Sequence, residues 1–154
     1  MSSITNRLSD LGIQLPEPPA PVASYVPARV AGNHLFVSGQ LPFMDGQLLA
    51  TGPIPSSTTI EEGGGAARAC GINALAVAND VLGQDLNRIR SVLRVGVFVQ
   101  SDDRFDAQPK VANGVSDLMI AVFGDAGRHV RAAVGVNALP LDASVEVEFL
   151  FEID

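Results

Sequence analysis

Arg131 has the clearest capacity for chemistry in this chain. It opens the stretch Arg131-Ala132-Ala133-Val134-Gly135-Val136, whose small side chains leave space around a guanidinium. An arginine in such space can hold a planar carboxylate in a bidentate fork. The same residue reads equally as an exposed arginine paired with Glu152 across a hairpin, an interaction worth roughly 0–1 kcal/mol. Glu146, Glu148 and Glu152 alternate with Val145, Val147, Phe149 and Phe151. That alternation is the mark of a solvated strand face, yet any one of these carboxylates can also work as a general acid or base.

The other reactive residue types carry less. His34 and His129 each stand at a strand entrance with no neighbour to fix a tautomer, so both read as surface polar residues. Cys70 lies among Ala67, Ala74 and Val77 at helical spacing with no histidine in the same turns, and reads as a buried small hydrophobe. Glu61-Glu62-Gly63-Gly64-Gly65 has the glycines of a phosphate cradle but lacks Gly-Lys-Ser/Thr and carries two carboxylates, so a closely packed or flexible helix start is the better reading. No Ser-His-Asp or Cys-His constellation is evident. One cysteine forbids an intrachain disulfide, and two histidines are too few for a His-rich metal site.

Periodicity supplies the elements that would position these groups. Ile4, Leu8 and Leu11 mark a short helix capped by Ser2 or Ser3 and stopped by Gly12. Leu15 to Pro27 holds five prolines and is an extended segment that delivers Tyr25. Strands are expected at Val26–Ala31 and His34–Gly39, joined at Gly32-Asn33, followed by a turn at Asp45-Gly46 and a loop over Thr51–Thr59. Ala66, Cys70, Asn73, Ala74, Val77 and Val81 recur at helical steps, predicting a helix from Ile60 to Leu82 that ends at Gly83. A strand at Leu93–Val99 precedes a second helix, from Phe105 through Val122 up to Gly124. Two last strands, Val130–Ala138 and Ser144–Ile153, close the chain.

This order is an α+β pattern: two helices on one face of a mostly antiparallel to mixed sheet, with an N-terminal helix and Pro-rich extension over residues 1–20 of a single domain spanning 1–154. A simple hairpin between the last two strands pairs Ala138 with Val145, which sets Arg131 opposite Glu152 and Glu146 opposite Asn137. Arg131 and Glu146 would then be several residues apart, so sharing a site requires a bulge or a neighbouring subunit. A partly apolar outer sheet face points to self-association.

Composition narrows the function classes. Of 154 residues 47% are apolar, enough for a core, and the formal net charge is −7 with the nine arginines scattered and one lysine, Lys110. Binding to nucleic acid through many phosphate contacts is therefore disfavoured. Residues 1–15 lack the apolar region of a signal peptide and no apolar run reaches membrane-spanning length, so a cytoplasmic protein with no membrane association is expected.

Three segments together resemble the Rid (reactive intermediate deaminase) family, also called the YjgF family. These are Tyr25 with Leu35-Phe36-Val37-Ser38-Gly39-Gln40-Leu41-Pro42; the Ala-rich helix with Asn73 and Leu75 followed by Val95-Gly96-Val97-Phe98-Val99; and Arg131 through Asn137-Ala138-Leu139-Pro140 with Val145-Glu146-Val147-Glu148. The likeness covers about residues 20 to 152. His129-Val130 stands where Pro-Ala is more usual, and Ala132-Ala133 where many deaminase-type members carry Ser and Cys. The resemblance implies a chorismate-mutase-like fold of the bacillus type and a homotrimer whose sheets form a central barrel with clefts between subunits. It also implies hydrolysis of 2-imino or 2-enamino acids to 2-keto acids and ammonia without metal or organic cofactor. By the same resemblance Arg131 would clamp the substrate carboxylate and Glu146 would activate water. Tyr25, Ser38, Gly39 and Ala133 would line the cleft, and Asn113 would add a polar contact. The alternatives are a non-catalytic trimeric module that binds a small carboxylate and, less attractive with this charge balance, an endoribonuclease.

Overall fold

The computed structural model describes residues 3–20 and 23–154; Ser2 as a cap and Pro21 of the Pro-rich stretch lie outside the described residues. Its centre is a five-stranded sheet in the order β1-β2-β7-β5-β6, formed by β1 (Ala28–Ala31), β2 (His34–Gln40), β5 (Ile89–Gln100), β6 (Val130–Val136) and β7 (Val145–Ile153). The short strands β3 (Phe43–Met44) and β4 (Gln47–Leu48) make a separate hairpin at the Asp45-Gly46 turn. Helices α2 (Ile60–Val81) and α3 (Gln108–Phe123) cover one sheet face, and α1 (Ile4–Asp10), capped by Ser3, docks on α3 where Arg7 Nη1 donates to the Val122 carbonyl at 3.1 Å. The α+β expectation and the two-helix layer hold.

Alternation decides which side of each strand is dry. Val145, Val147, Phe149, Phe151 and Ile153 on β7 and Val95, Val97 and Val99 on β5 are all buried beneath the helices. On the helices, Ala66, Cys70, Ala74 and Val77 of α2 meet Val111, Val115, Met119 and Val122 of α3 in the same core. Val81, expected on that buried stripe, is instead 37% exposed, and Leu82 at the C-cap takes the inward position before Gly83 turns the chain with φ +72. Strand β5 begins four residues earlier than its apolar run suggests. Register shifts at Ile89/Ser91 and Val92/Arg94 break the alternation there and hide the strand from a period-two reading.

The last two strands do not form a hairpin. β6 pairs parallel with β5, Arg131 beside Val95, while β7 pairs antiparallel with the other edge of β5, Phe149 beside that same Val95. A parallel pair needs a long crossover, and α3 supplies it. Residues 137–144 then arch over the end of β5, where Ser101 N–H donates to the Val136 carbonyl at 3.0 Å and Gln100 N–H to the Ser144 carbonyl at 2.9 Å. Arg131 is therefore not opposite Glu152, which instead accepts from Ser91 Oγ at 2.8 Å. A loop of hairpin length misleads here because it spans two strand spacings instead of one.

The glycine run at the start of α2 is a packing device. The helix is fixed by a reciprocal cap, Thr59 Oγ1 accepting from Glu62 N–H at 3.0 Å and Glu62 Oε2 from Thr59 N–H at 2.9 Å. One turn later Gly64 meets Gly114 of α3 so closely that a Cβ on Gly114 would overlap the Gly64 backbone, whereas a Cβ on Gly65 would reach open space. Gly114→Ala is expected to destabilise by about 2–3 kcal/mol through overpacking, and Gly65→Ala to stabilise by about 0.5–1 kcal/mol through helix propensity. Urea midpoints at one fixed protomer concentration check both signs.

Candidate functional site

Arg131 leaves edge strand β6 on the helix-covered side, level with buried Val95, and wraps onto α3. Its Nη1 donates to Asn113 Oδ1 at 2.9 Å and to Ser116 Oγ at 3.1 Å, and Nη2 makes a long contact of 3.5 Å to the Pro109 carbonyl. Residues 109, 113 and 116 share one face of α3 at steps of four and three, which is why a single guanidinium reaches all of them. All three acceptors are neutral. Both Nη1 hydrogens are thus engaged, while Nε has no partner among the described residues, so the side-on edge formed by Nε and Nη2 remains open for a two-oxygen ligand. Ala133, two residues along the strand and on the same side, contributes a small wall against the core.

Glu146 lies on the other face. It is flanked by buried Val145 and Val147 and pairs with Phe98, so it points away from the helices, together with Glu148 beside Gly96. Glu148 is committed to Arg94, with Oε1 accepting from Nη1 at 2.8 Å, and Gly96 leaves the room for that ion pair to lie flat. Glu146 accepts no hydrogen bond among the described residues. Its carboxylate packs over Gly39, where a Cβ would collide with it, and Gly39 sits in the irregular stretch of β2 between Val37 and Gln40. Burial, and secondly the neighbouring Glu148 charge, raise the Glu146 carboxyl above its ordinary range.

Tyr25, Ser38 and Gly39 line one small cavity of about 60 Å³ together with Pro27, Gln40 and Leu141. Ser38 is held there by its Oγ donating to the Pro27 carbonyl at 3.0 Å. Pro19, Ala20 and Phe43 separate this cavity from a larger, mainly apolar one of about 630 Å³ between the N-terminal segment and α2, which contains neither Arg131 nor Glu146. The expected site residues thus fall into two groups: Tyr25, Ser38, Gly39 and Glu146 around β2 and β7, and Asn113, Arg131 and Ala133 around β6 and α3. Within one chain the groups occupy opposite sheet faces with β5 between their strands, a strand separation of about 10 Å.

Two residues of the arginine group escape a reading of the sequence. Ser116 is buried and binds Arg131; its signal was its place three residues after Asn113. His129 is not a free surface group, because Nε2 lies 2.9 Å from Ser116 Oγ and Nδ1 2.7 Å from the Gly127 carbonyl. Cys70 is buried as expected, its Sγ 3.8 Å from the Val145 carbonyl, and burial pushes its thiol well up. Among the described residues no cluster of His, Cys, Asp or Glu could hold a metal ion, and no helix is long and apolar enough to cross a membrane.

Residues 5–153 match the model of the family described as "YjgF/chorismate mutase-like, putative endoribonuclease". Protein TCP17 of Trypanosoma cruzi is 45% identical over 152 residues, covering 98% of this chain and 94% of that protein. The structure is similar to that of Atu1372 from Agrobacterium tumefaciens, of unknown function, at 42% identity and a TM-score of 0.91, over 98% of this chain and 92% of the other. It is also similar to a "putative endoribonuclease" from Shewanella oneidensis MR-1, at 32% identity and a TM-score of 0.95, over 99% and 100% of the two chains.

The elevated Glu146 carboxyl has a consequence for stability. The folded chain binds that proton more tightly than the unfolded chain, so the ionised group costs stability above its folded pKa, and the cost vanishes below the unfolded value near ~4.3. Glu146→Gln is expected to raise the urea midpoint at about pH 8 and to lose that advantage as pH falls towards about 4. A difference from wild type that stays constant with pH would contradict this.

Proposed function

The chain belongs to the YjgF/chorismate-mutase-like family, and on that footing we propose that it hydrolyses reactive 2-imino and 2-enamino acids to 2-keto acids and ammonia, in clefts between the subunits of a homotrimer. The observation that carries this reading is the Arg131 guanidinium, steadied by three neutral acceptors with its Nε edge open. A cation held without a counter-ion is a receptor for a small anion. Glu146 is the complementary half: a carboxyl without a hydrogen-bond partner among the described residues, raised by burial and by the Glu148 charge, which makes it a stronger base than an exposed carboxylate.

The reaction asks little else of the protein. A 2-enamino acid takes a proton at C3 to become the iminium, whose C2 is already electrophilic. Water adds to C2 as Glu146 takes one of its protons, giving a carbinolamine. Glu146 returns its proton to the amino nitrogen, the C–N bond breaks, and ammonia leaves as the hydroxyl oxygen gives its proton to the freed Glu146 carboxylate and becomes the C2 carbonyl. Arg131 fixes the carboxylate beside that carbon, Asn113 keeps Nδ2 for a substrate oxygen while its Oδ1 steadies the arginine, and Ala133 leaves space beneath. Tyr25, Ser38 and Gly39 wall the opposite side. This route needs no metal or organic cofactor, because the imine supplies its own electrophile.

Because Arg131 and Glu146 face opposite ways in one chain, the two halves meet only when the β6 edge of one subunit approaches the outer face of the next. That outer face carries exposed Phe36, Val130 and Val134, an apolar surface suited to burial against copies of the chain. RNA cleavage fits the charge distribution poorly, since a net charge of −7 and scattered arginines supply no track of phosphate contacts. The thiol of Cys70 and the lack of a second cysteine suit a reducing cytoplasm.

Ammonia release from imino acids formed in situ by an amino-acid oxidase tests the activity. Arg131→Ala is expected to lower kcat/KM at least ~100-fold, chiefly through KM, and Glu146→Gln to lower kcat by about 100-fold or more. Release no faster than without protein, combined with thermal stabilisation by 2-keto acids, would assign carboxylate binding without catalysis.

A further inference from the structure

We propose that His129 is a positioning residue for the Arg131 clamp, acting through Ser116; this rests on the reading of Arg131 as a carboxylate receptor. His129 makes no hydrogen bond to the guanidinium; both bond to Ser116 Oγ. It sits immediately before β6, half-buried, with each ring nitrogen engaged: Nδ1 at 2.7 Å from the Gly127 carbonyl and Nε2 at 2.9 Å from Ser116 Oγ.

The direction of every bond in this chain is fixed by its ends. A carbonyl only accepts, so Nδ1 of the neutral ring carries the hydrogen and Nε2 presents its lone pair. A guanidinium only donates, so Ser116 Oγ is the acceptor for Arg131 Nη1 at 3.1 Å. That leaves Ser116 one hydrogen to give, and it goes to Nε2. Without the ring, a buried serine inside a helix would return that hydrogen to the carbonyl four residues back, on Ala112, and swing its lone pairs off the arginine. His129 thus keeps the Ser116 lone pair aimed at Nη1. With Asn113 Oδ1 on the other Nη1 hydrogen, the plane of the guanidinium is set and its Nε edge is presented to a ligand.

The far end of the chain is anchored as well. Gly127 is buried where a Cβ would lie 2.9 Å from Ile120 Cα and overlap the Met119 carbonyl, so the turn that offers the Gly127 carbonyl is seated directly on α3. The histidine therefore spans from Ser116 of α3 to a turn that is itself packed on that helix.

The test compares His129→Gln, whose amide oxygen can occupy the Nε2 position, with His129→Asn, which is too short to reach Ser116. Pyruvate affinity by calorimetry and imino-acid kinetics are measured on the intact assembly. His129→Asn is expected to weaken pyruvate binding and raise KM about fivefold with kcat little changed, His129→Gln to stay within about twofold of wild type, and His129→Asn to add nothing in a Ser116→Ala background. Nitrogen-15 correlation of the imidazole is expected to show the Nδ1–H tautomer. Equal pyruvate affinity in wild type, Asn and Gln variants, or an Nε2–H tautomer, overturns the positioning role. Wild type that binds pyruvate with this variant pattern but releases no ammonia would instead sink the deaminase reading and leave the role of His129 standing. Wild type that does not bind pyruvate overturns both.

Discussion

The parallel pairing of β5 with β6 is the constraint on which the rest of the molecule depends. It makes β6 an edge strand and inserts β5 between β6 and β7, and by matching Arg131 to Val95 it turns the arginine to the helix-covered side. Glu146, matched to Phe98 on the other edge of β5, is left on the outer face. Between Arg94 and Val99 the pairing of β5 with both neighbours is free of register shifts, so alternate side chains go to opposite faces and no rotamer change brings these two groups together in one chain. The fold sets the two groups on opposite faces, and the proposed reaction requires a second copy of the chain to bring them together.

Each half-site is electrostatically incomplete in a complementary way. The arginine is surrounded by an amide oxygen, a hydroxyl and a carbonyl, which orient it without cancelling its charge. The glutamate is half-buried over a glycine backbone with a like-charged neighbour and no donor, which makes it a better proton acceptor than an ordinary exposed carboxylate. The proposed substrate, a zwitterionic iminium carboxylate, would present its negative end to the first and its positive, water-accepting end to the second. Structural ion pairs elsewhere show the contrast: Arg94 with Glu148, and Arg88 and Arg90 with Asp154, are each matched by a carboxylate.

Much of this was legible in the sequence because it rests on local periodicity. The dry faces of β5 and β7, the apolar stripes of α2 and α3, and the burial of Cys70 all follow from alternation or helical spacing. The glycines at the start of α2 were recognisable as a close-packing element, although their partner, Gly114, was not, since a helix crossing is a pairing between distant segments. The same limit explains the hairpin error. Residues 137–144 have the length and turn residues of a tight connection, and only the tertiary register shows that they pass over β5. His129 looked unassisted because its partners, Ser116 and Gly127, are respectively on another element and on a backbone carbonyl that has no sequence signature.

The central claim is that one catalytic centre takes its cation from one chain and its carboxylate from another. It is tested most directly by subunit complementation: Arg131→Ala and Glu146→Gln chains are produced together, the mixed oligomers isolated, and ammonia release compared with each variant alone. In a ring of three, every mixed assembly has one cleft of its three with both native residues, so activity near one third of wild type is expected. Mixed oligomers no more active than either parent, with assembly confirmed, would contradict a site shared between chains.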